Sequence, residues 1–185
     1  MKRTIITIAM IVILASVITA AAEAKKLTLE PTKVLAMTSP TEARDRRVLV
    51  YFELPEKLEI SATQIDYAKL VFDAQVTDAH MGQIEVYPVT TDWKASETLD
   101  WENSWTKKGG DYSEEIAGKH LAVRSDEGKK SARCDVTYVV LGWLEGRMDN
   151  HGFILVPSRQ DLESSDVEYS IETKGITLVI SYSPD

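Results

Sequence analysis

Cysteine is nearly absent from this chain. With Cys134 alone among 185 residues, no internal disulfide can form, so the core must hold the fold. A solitary cysteine is expected to be a small buried residue and not a reactive thiol. Histidine is almost as scarce: His80, His120 and His151 are dispersed and show no ligand spacing with Cys134, which argues against zinc. Basic residues number 21 against 29 acidic ones, a formal net charge of −8, and such a chain repels phosphate backbones, so nucleic acid is not an expected partner. The templates G-x-S-x-G and H-E-x-x-H are missing, as is any Gly-rich phosphate loop. No catalytic residue is assigned. Internal repeats, linkers and low-complexity tracts are missing too, which points to one domain.

What is present begins with an export signal. Met1-Lys2-Arg3 is a cationic start, and Thr4 to Ala22 is an almost unbroken apolar run that closes on small residues. This is the layout of a secretory signal peptide, with cleavage expected at Ala20-Ala21-Ala22 or Ala22-Glu23-Ala24. An uncleaved anchor is the alternative, since about 18 apolar residues can just span a bilayer. A lipid anchor would need a cysteine at the cut, and there is none. Residues 1–24 are therefore read as leader and 25–185 as a single domain. With cleavage after Ala22, losing Lys2 and Arg3 takes the charge from −8 to about −10. No second apolar run reaches spanning length.

The mature sequence alternates with period two far more often than it follows helical spacing. In Arg47 to Leu54, Val48, Val50, Phe52 and Leu54 fall on one face and Leu49 and Tyr51 on the other, so this strand is expected centrally in a sheet. Ile65 to Val76 places Ala68, Leu70, Phe72, Ala74 and Val76 against Lys69, Asp73 and Gln75. After a turn at Asp78 to Gly82, Gln83 to Val89 continues with Ile84 and Val86 inward. Further strands are expected at Lys26 to Glu30, Leu99 to Trp101, Leu121 to Val123, Gly152 to Val156, Val167 to Ile171 and Ile176 to Tyr182. Loops are expected from Thr106 to Lys119 and from Ser158 to Asp166. Short strands separated by turns predict an all-β antiparallel sandwich.

One segment departs from alternation. Val136, Val139, Val140, Trp143 and Leu144 follow helical spacing, with Asp135 as a candidate N-cap and Gly146 as a stop. They predict one short helix near 135–145 that covers an end of the sandwich, with a strand as the alternative because of the β-branched content.

Several phrases, in order, resemble the DNRLRE domain family. They are Phe52-Glu53-Leu54; Ile65, Ala68, Leu70 and Phe72; Val86-Tyr87-Pro88-Val89-Thr90 with Trp93, followed by Trp101; Asp135-Val136-Thr137 with Val140, Trp143 and Gly146; Asn150 to Leu155; and the closing Leu178 to Tyr182. The family's members look like carbohydrate-binding modules and relatives of the disaggregatase repeat of archaeal surface proteins. The likeness covers roughly Arg47 to Tyr182. It departs ahead of the Phe52 strand, where the family's Asn- and Gly-rich loop is reduced to Thr38 to Arg46. The resemblance implies a jelly-roll sandwich, secreted or at the cell surface, that binds polysaccharide or serves as a structural module, without catalysis.

Sugar-binding surfaces commonly use flat aromatic rings. Trp93, Trp101 and Trp143 sit at apolar-periodic positions and are expected in the core. Trp105 falls beside Lys107 and Lys108 and before Gly109-Gly110, with Tyr112 nearby, and these four side chains form the candidate contact surface. The cationic pair would suit an acidic polysaccharide. Asp92, Glu97, Asp100, Glu102 and Asn103 could supply oxygens to structural calcium, yet they lack EF-hand spacing and no cofactor is assigned. Glu97 and Asp100 could serve as a glycosidase pair, though nothing singles them out. His151 reads as a turn-flanking residue. The leading expectation is thus a secreted carbohydrate-binding module. The alternative is an adhesive surface protein that self-associates or binds other surface proteins.

Overall fold

Alternation sorts the side chains into two populations, and two sheets result. The computed structural model of the chain describes residues 23–55, 60–76, 82–94, 98–114, 121–123, 130–158, 162–163 and 169–184. The apolar leader and the turn expected at 78–82 lie outside the described residues, apart from residues 23, 24 and 82. The strands are β1 (Lys25–Leu29), β2 (Lys33–Thr38), β3 (Arg46–Tyr51), β4 (Ile65–Val76), β5 (Gly82–Pro88), β6 (Leu121–Val123), β7 (Lys130–Asp135), β8 (Phe153–Pro157), β9 (Tyr169–Ile171) and β10 (Thr177–Tyr182), with one helix, α1 (Thr137–Leu144), between β7 and β8.

Sheet A has the order β1-β10-β4-β7, with β9 paired to the far end of β4. Sheet B has the order β2-β3-β8-β5-β6. Every pairing is antiparallel. The described residues therefore form an all-β sandwich with one α-helix, α1. Its pairs are nested, β5 with β6, β4 with β7, β3 with β8 and β1 with β10, so successive segments wrap outward around the β5–β6 pair.

The core lies between the sheets. From β3 it takes Val48 and Val50, with Phe52 just beyond it, from β4 Ala68, Leu70, Phe72 and Ala74, from β5 Ile84 and Val86, and from β8 Phe153 and Leu155. Register makes this consistent: Val48 lies opposite Leu155 and Val50 opposite Phe153, while the intervening pair Leu49 and Ile154 belongs to a second apolar cluster on the outer face. β3 is thus buried on both faces and sits inside its sheet, as its two-sided apolar pattern requires.

The helix places Val139, Val140 and Trp143 in the same core, and Trp143 tilts against Phe153 with ring centroids 4.8 Å apart. Its start is tied to sheet A because Thr137 Oγ1 accepts from Ala68 N at 2.8 Å and donates to Ala68 O at 3.3 Å. Val136, not Asp135, occupies the N-cap position. Asp135 still accepts from Thr137 N at 3.0 Å, satisfying one of the open helical donors from the end of β7. Beyond the helix, Gly146 adopts φ +67°.

Three departures from the alternation pattern have simple causes. Leu99 to Trp101 is a turn and not a strand: Asp100 Oδ1 accepts from the backbone N–H of Glu102 at 2.7 Å and of Asn103 at 2.9 Å, the Asx geometry that competes with a ladder. β7 contributes only Ala132 and Cys134 to the core, residues too small to announce a strand. β2 lies at the edge of sheet B and divides its apolar residues, Val34 packing toward the core and Leu35 and Met37 toward the outer cluster.

Cys134 is 1% exposed, opposite Leu70. Burial, reinforced by the Asp135 charge, pushes its thiol up to about 12, so the thiolate that reacts with disulfide reagents is scarce. An aromatic disulfide reagent at mildly alkaline pH should leave the folded protein unmodified and label one thiol per chain in concentrated guanidinium chloride. Rapid labelling of the native protein would contradict this packing.

Candidate ligand-binding site on the outer face of sheet B

Strands β3 and β8 turn Leu49, Ile154 and Val156 away from the sandwich core, and all three are buried. What buries them are residues 89–94 and 98–113, which follow β5 and pack over the sheet. Trp93, 1% exposed, is fixed by its Nε1 donating to His151 O at 2.7 Å. Lys33 Nζ donates to Lys94 O at 2.7 Å, joining this cover to β2. Farther along, Gly109 has φ +82°, and a Cβ there would lie 2.7 Å from both Arg47 Nη1 and Trp101 Cζ2. Only glycine fits that approach.

Arg47 is the clamp on this turn. Its Nε and Nη2 donate to the two carboxylate oxygens of Asp45 at 2.8 and 2.7 Å, while Nη1 donates to Gly109 O at 2.9 Å. The guanidinium also lies 4.5 Å from the centre of the Trp101 ring, so it stacks, forks and binds a carbonyl at once, which lysine could not do. A second node is Asp111. Its carboxylate accepts from Lys107 N at 2.7 Å, Thr106 N at 2.9 Å and Thr91 Oγ1 at 3.1 Å. Burial raises the carboxyl's pKa, but these donors outweigh that and hold it below the ordinary carboxylate value.

A short antiparallel bridge pairs Val89 with Tyr112, flanked by Thr90 N donating to Asp111 O at 3.0 Å and Ser113 N to Pro88 O at 3.2 Å. It lays Tyr112 against Tyr87, with ring centroids 4.9 Å apart and planes at 34°. Beside this pair opens a cavity of about 400 Å³ bordered by Asp45, Arg47, Glu85, Glu114 and the two tyrosines. Tyr87 donates its hydroxyl to Glu85 Oε2. Its pKa is raised, first by burial and then by that bond and the nearby charges. Tyr112 is raised by burial as well, with Arg47 opposing and Glu114, Asp45 and Glu85 adding to it. Both phenols therefore remain protonated donors at neutral pH. The cavity offers an aromatic wall, the Tyr112 hydroxyl and carboxylate acceptors, the equipment for holding a polyhydroxylated molecule.

Of the four side chains expected to form the contact surface, the fold brings Lys107 and Tyr112 to one cavity of about 260 Å³ and leaves Trp105 and Lys108 out of its lining. Trp105 is 8% exposed, packed into the outer cluster with Trp93, Met37 and Ile154, and its Nε1 has no acceptor among the described residues. Lys107 and Lys108 are exposed, but Lys108 Nζ donates to Glu102 Oε1 at 2.9 Å, so the pair is not a bare cationic patch. Tyr112 alone reaches the larger cavity. Of the tryptophans assigned to the core, Trp93 and Trp143 are buried, whereas Trp101 is half-exposed beneath Arg47.

Asp45, Arg47, Glu85, Tyr87 and Glu114 were not singled out from sequence. For Glu85 and Tyr87 the signal existed, because the alternation that sends Ile84 and Val86 inward sends these two outward. Of the possible calcium ligands, Asp100 is used by its own turn and Glu102 by Lys108. Among the described residues no three His, Cys, Asp or Glu side chains converge as metal ligands, and Glu97 lies outside them. No protein-family model matches the chain, and no curated protein does.

Two outcomes follow from these nodes. Gly109→Ala forces a positive φ and a clash with Arg47, and should destabilise the fold by about 1–3 kcal/mol in denaturant melts. Because the Asp111 carboxyl is depressed in the folded state, its contribution is complete above the unfolded value of roughly 4 and is lost as pH falls through the folded value. Asp111→Asn should therefore melt lower than wild type at neutral pH and show a flatter dependence of melting temperature on pH in the acid range. An unchanged acid limb would contradict this role.

Proposed function

We propose that the protein is an exported, non-catalytic β-sandwich that binds carbohydrate through the tyrosine-walled cavity on the outer face of sheet B. The observation that carries this reading is the Tyr87–Tyr112 pair held beside carboxylate acceptors in a cavity of about 400 Å³, within the size range of ligand sites. The cationic apolar leader supports export. Among the described residues no helix is long and apolar enough to cross a membrane.

The resemblance to the DNRLRE family, with its jelly roll, is part of the same proposal. Strand order supports it. With β2 treated as an addition to β3 and β9, which pairs with the far end of β4, set aside, β1-β10-β4-β7 faces β3-β8-β5-β6, the interleaving of two Greek keys that characterises a jelly roll.

The sign of charge at the site bears on the ligand. Asp45, Glu85 and Glu114 border the cavity with one guanidinium, and that guanidinium is already forked onto Asp45. Together with a chain charge of −8, this disfavours the acidic polysaccharide that the Lys107–Lys108 pair suggested and favours a neutral or amine-bearing one. Affinity chromatography of the mature protein on chitin, cellulose, mannan and alginate should show retention on at least one of the first three and none on alginate. Tyr112→Ala should reduce that retention at least tenfold with the melting temperature little changed. Retention on none of the four would overturn the carbohydrate reading. Elution well above monomer size without any glycan would favour the adhesive alternative, and release of soluble sugar would contradict the absence of catalysis.

A further inference from the structure

Tyr112 borders two cavities. One is the acidic cavity above, and the other, of about 260 Å³, is bordered by Thr90, Thr91, Thr106, Lys107, Asp111 and Tyr112 itself. Resting on the carbohydrate reading, we infer that the site is a cleft with two subsites, for at least two consecutive units of a polysaccharide, with the Tyr112 ring as their shared wall.

Size is the first argument. Small-molecule sites run from roughly 300 to 1,000 Å³; the second cavity is below that range alone, while the two side by side fall within it. Placement is the second. Tyr112 is fixed by the Val89 bridge and by backbone bonds on either side of it, and the next residue back, Asp111, holds Thr106 N, Lys107 N and Thr91 Oγ1. The same bonds therefore shape the smaller cavity and set the ring between the two, so neither has to form when ligand arrives. Preorganisation of this kind cuts the ordering cost of binding a flexible chain.

The linings also differ in a way that suits neighbouring units of one chain. The larger subsite presents the carboxylates of Glu85 and Glu114, to which sugar hydroxyls or an amine donate, while Asp45 is taken up by Arg47. The smaller presents threonine hydroxyls and the Lys107 side chain, where the ammonium donates to ring or hydroxyl oxygens. Asp111 is not a further charged contact there, because its carboxylate is taken up by the loop. A sugar unit carries both donors and acceptors, so consecutive units can satisfy both linings. A single unit satisfies one.

Titration calorimetry with the mature protein and three ladders, N-acetylglucosamine, β-1,4-glucose and mannose oligomers of one, two and four units, tests this. In the ladder that binds, affinity should rise at least tenfold from one unit to two. Lys107→Ala and Thr90→Val lie only on the smaller subsite and leave the backbone donors to Asp111 in place. Each should lower affinity for the two- and four-unit ligands several-fold and leave the one-unit ligand unchanged, with unaltered circular dichroism. Equal affinity for one and four units, or equal weakening at every length, would overturn the two-subsite cleft while leaving carbohydrate binding intact. Binding of none of the three ladders at any length would overturn both.

Discussion

The outer face of sheet B is apolar over its two central strands, and the rest of the molecule is arranged around that constraint. Leu49 on β3 and Ile154 on β8 stand directly opposite each other and point away from the sandwich core. Left in water, such surface forfeits roughly 25 cal/mol per Å², and a sheet with apolar residues on both faces is stable only when both are covered. One face packs on sheet A. The other is covered by the chain itself, by residues 89–94 and 98–113, which contribute Trp93, Trp101 and Trp105 to that cover.

A cover made of turns has few ladder hydrogen bonds of its own, so polar side chains have to anchor it. Arg47 binds it from β3, Asp111 from within, and His151 O receives Trp93 from the turn that leads into β8. These groups are partly or wholly shielded from water. Removing one member of such a set leaves its partners buried and unsatisfied, which costs more than the bond itself contributes. The Asp45–Arg47 pair is the clearest case, with side chains only 12% and 13% exposed and two parallel bonds between them.

The cover also ends where the candidate site begins. Past Asp111 the chain rises onto β5 through the Val89–Tyr112 bridge, and the outer face beyond Tyr112 is no longer roofed by tryptophan. Outward residues of β5, Glu85 and Tyr87, and the Asp45–Arg47 pair at the start of β3 border the candidate site there. A rigid sheet thus supplies one side of the cleft and an anchored loop the other, the usual division between scaffold and recognition.

Period-two alternation made β3, β4 and β5 legible together with the direction of nearly every inward side chain, because strand geometry ties facing to parity one residue at a time. The helical spacing of Val136, Val139, Val140 and Trp143 marked α1 for the same local reason. Strands β2 and β7 escaped, the one divided between two clusters and the other carried by Ala132 and Cys134. Trp101 and Trp105 lie four residues apart in similar surroundings, and nothing local tells which ring is covered; the fold buries Trp105 and leaves Trp101 half-exposed. The sequence by itself determined which residues form strands and which of their faces turn inward. Only the tertiary structure decided which part of the outward face is roofed and which stays open as a site, since that depends on contacts such as Arg47 with Gly109 and Trp93 with His151, made between segments far apart in the chain and absent from any local pattern.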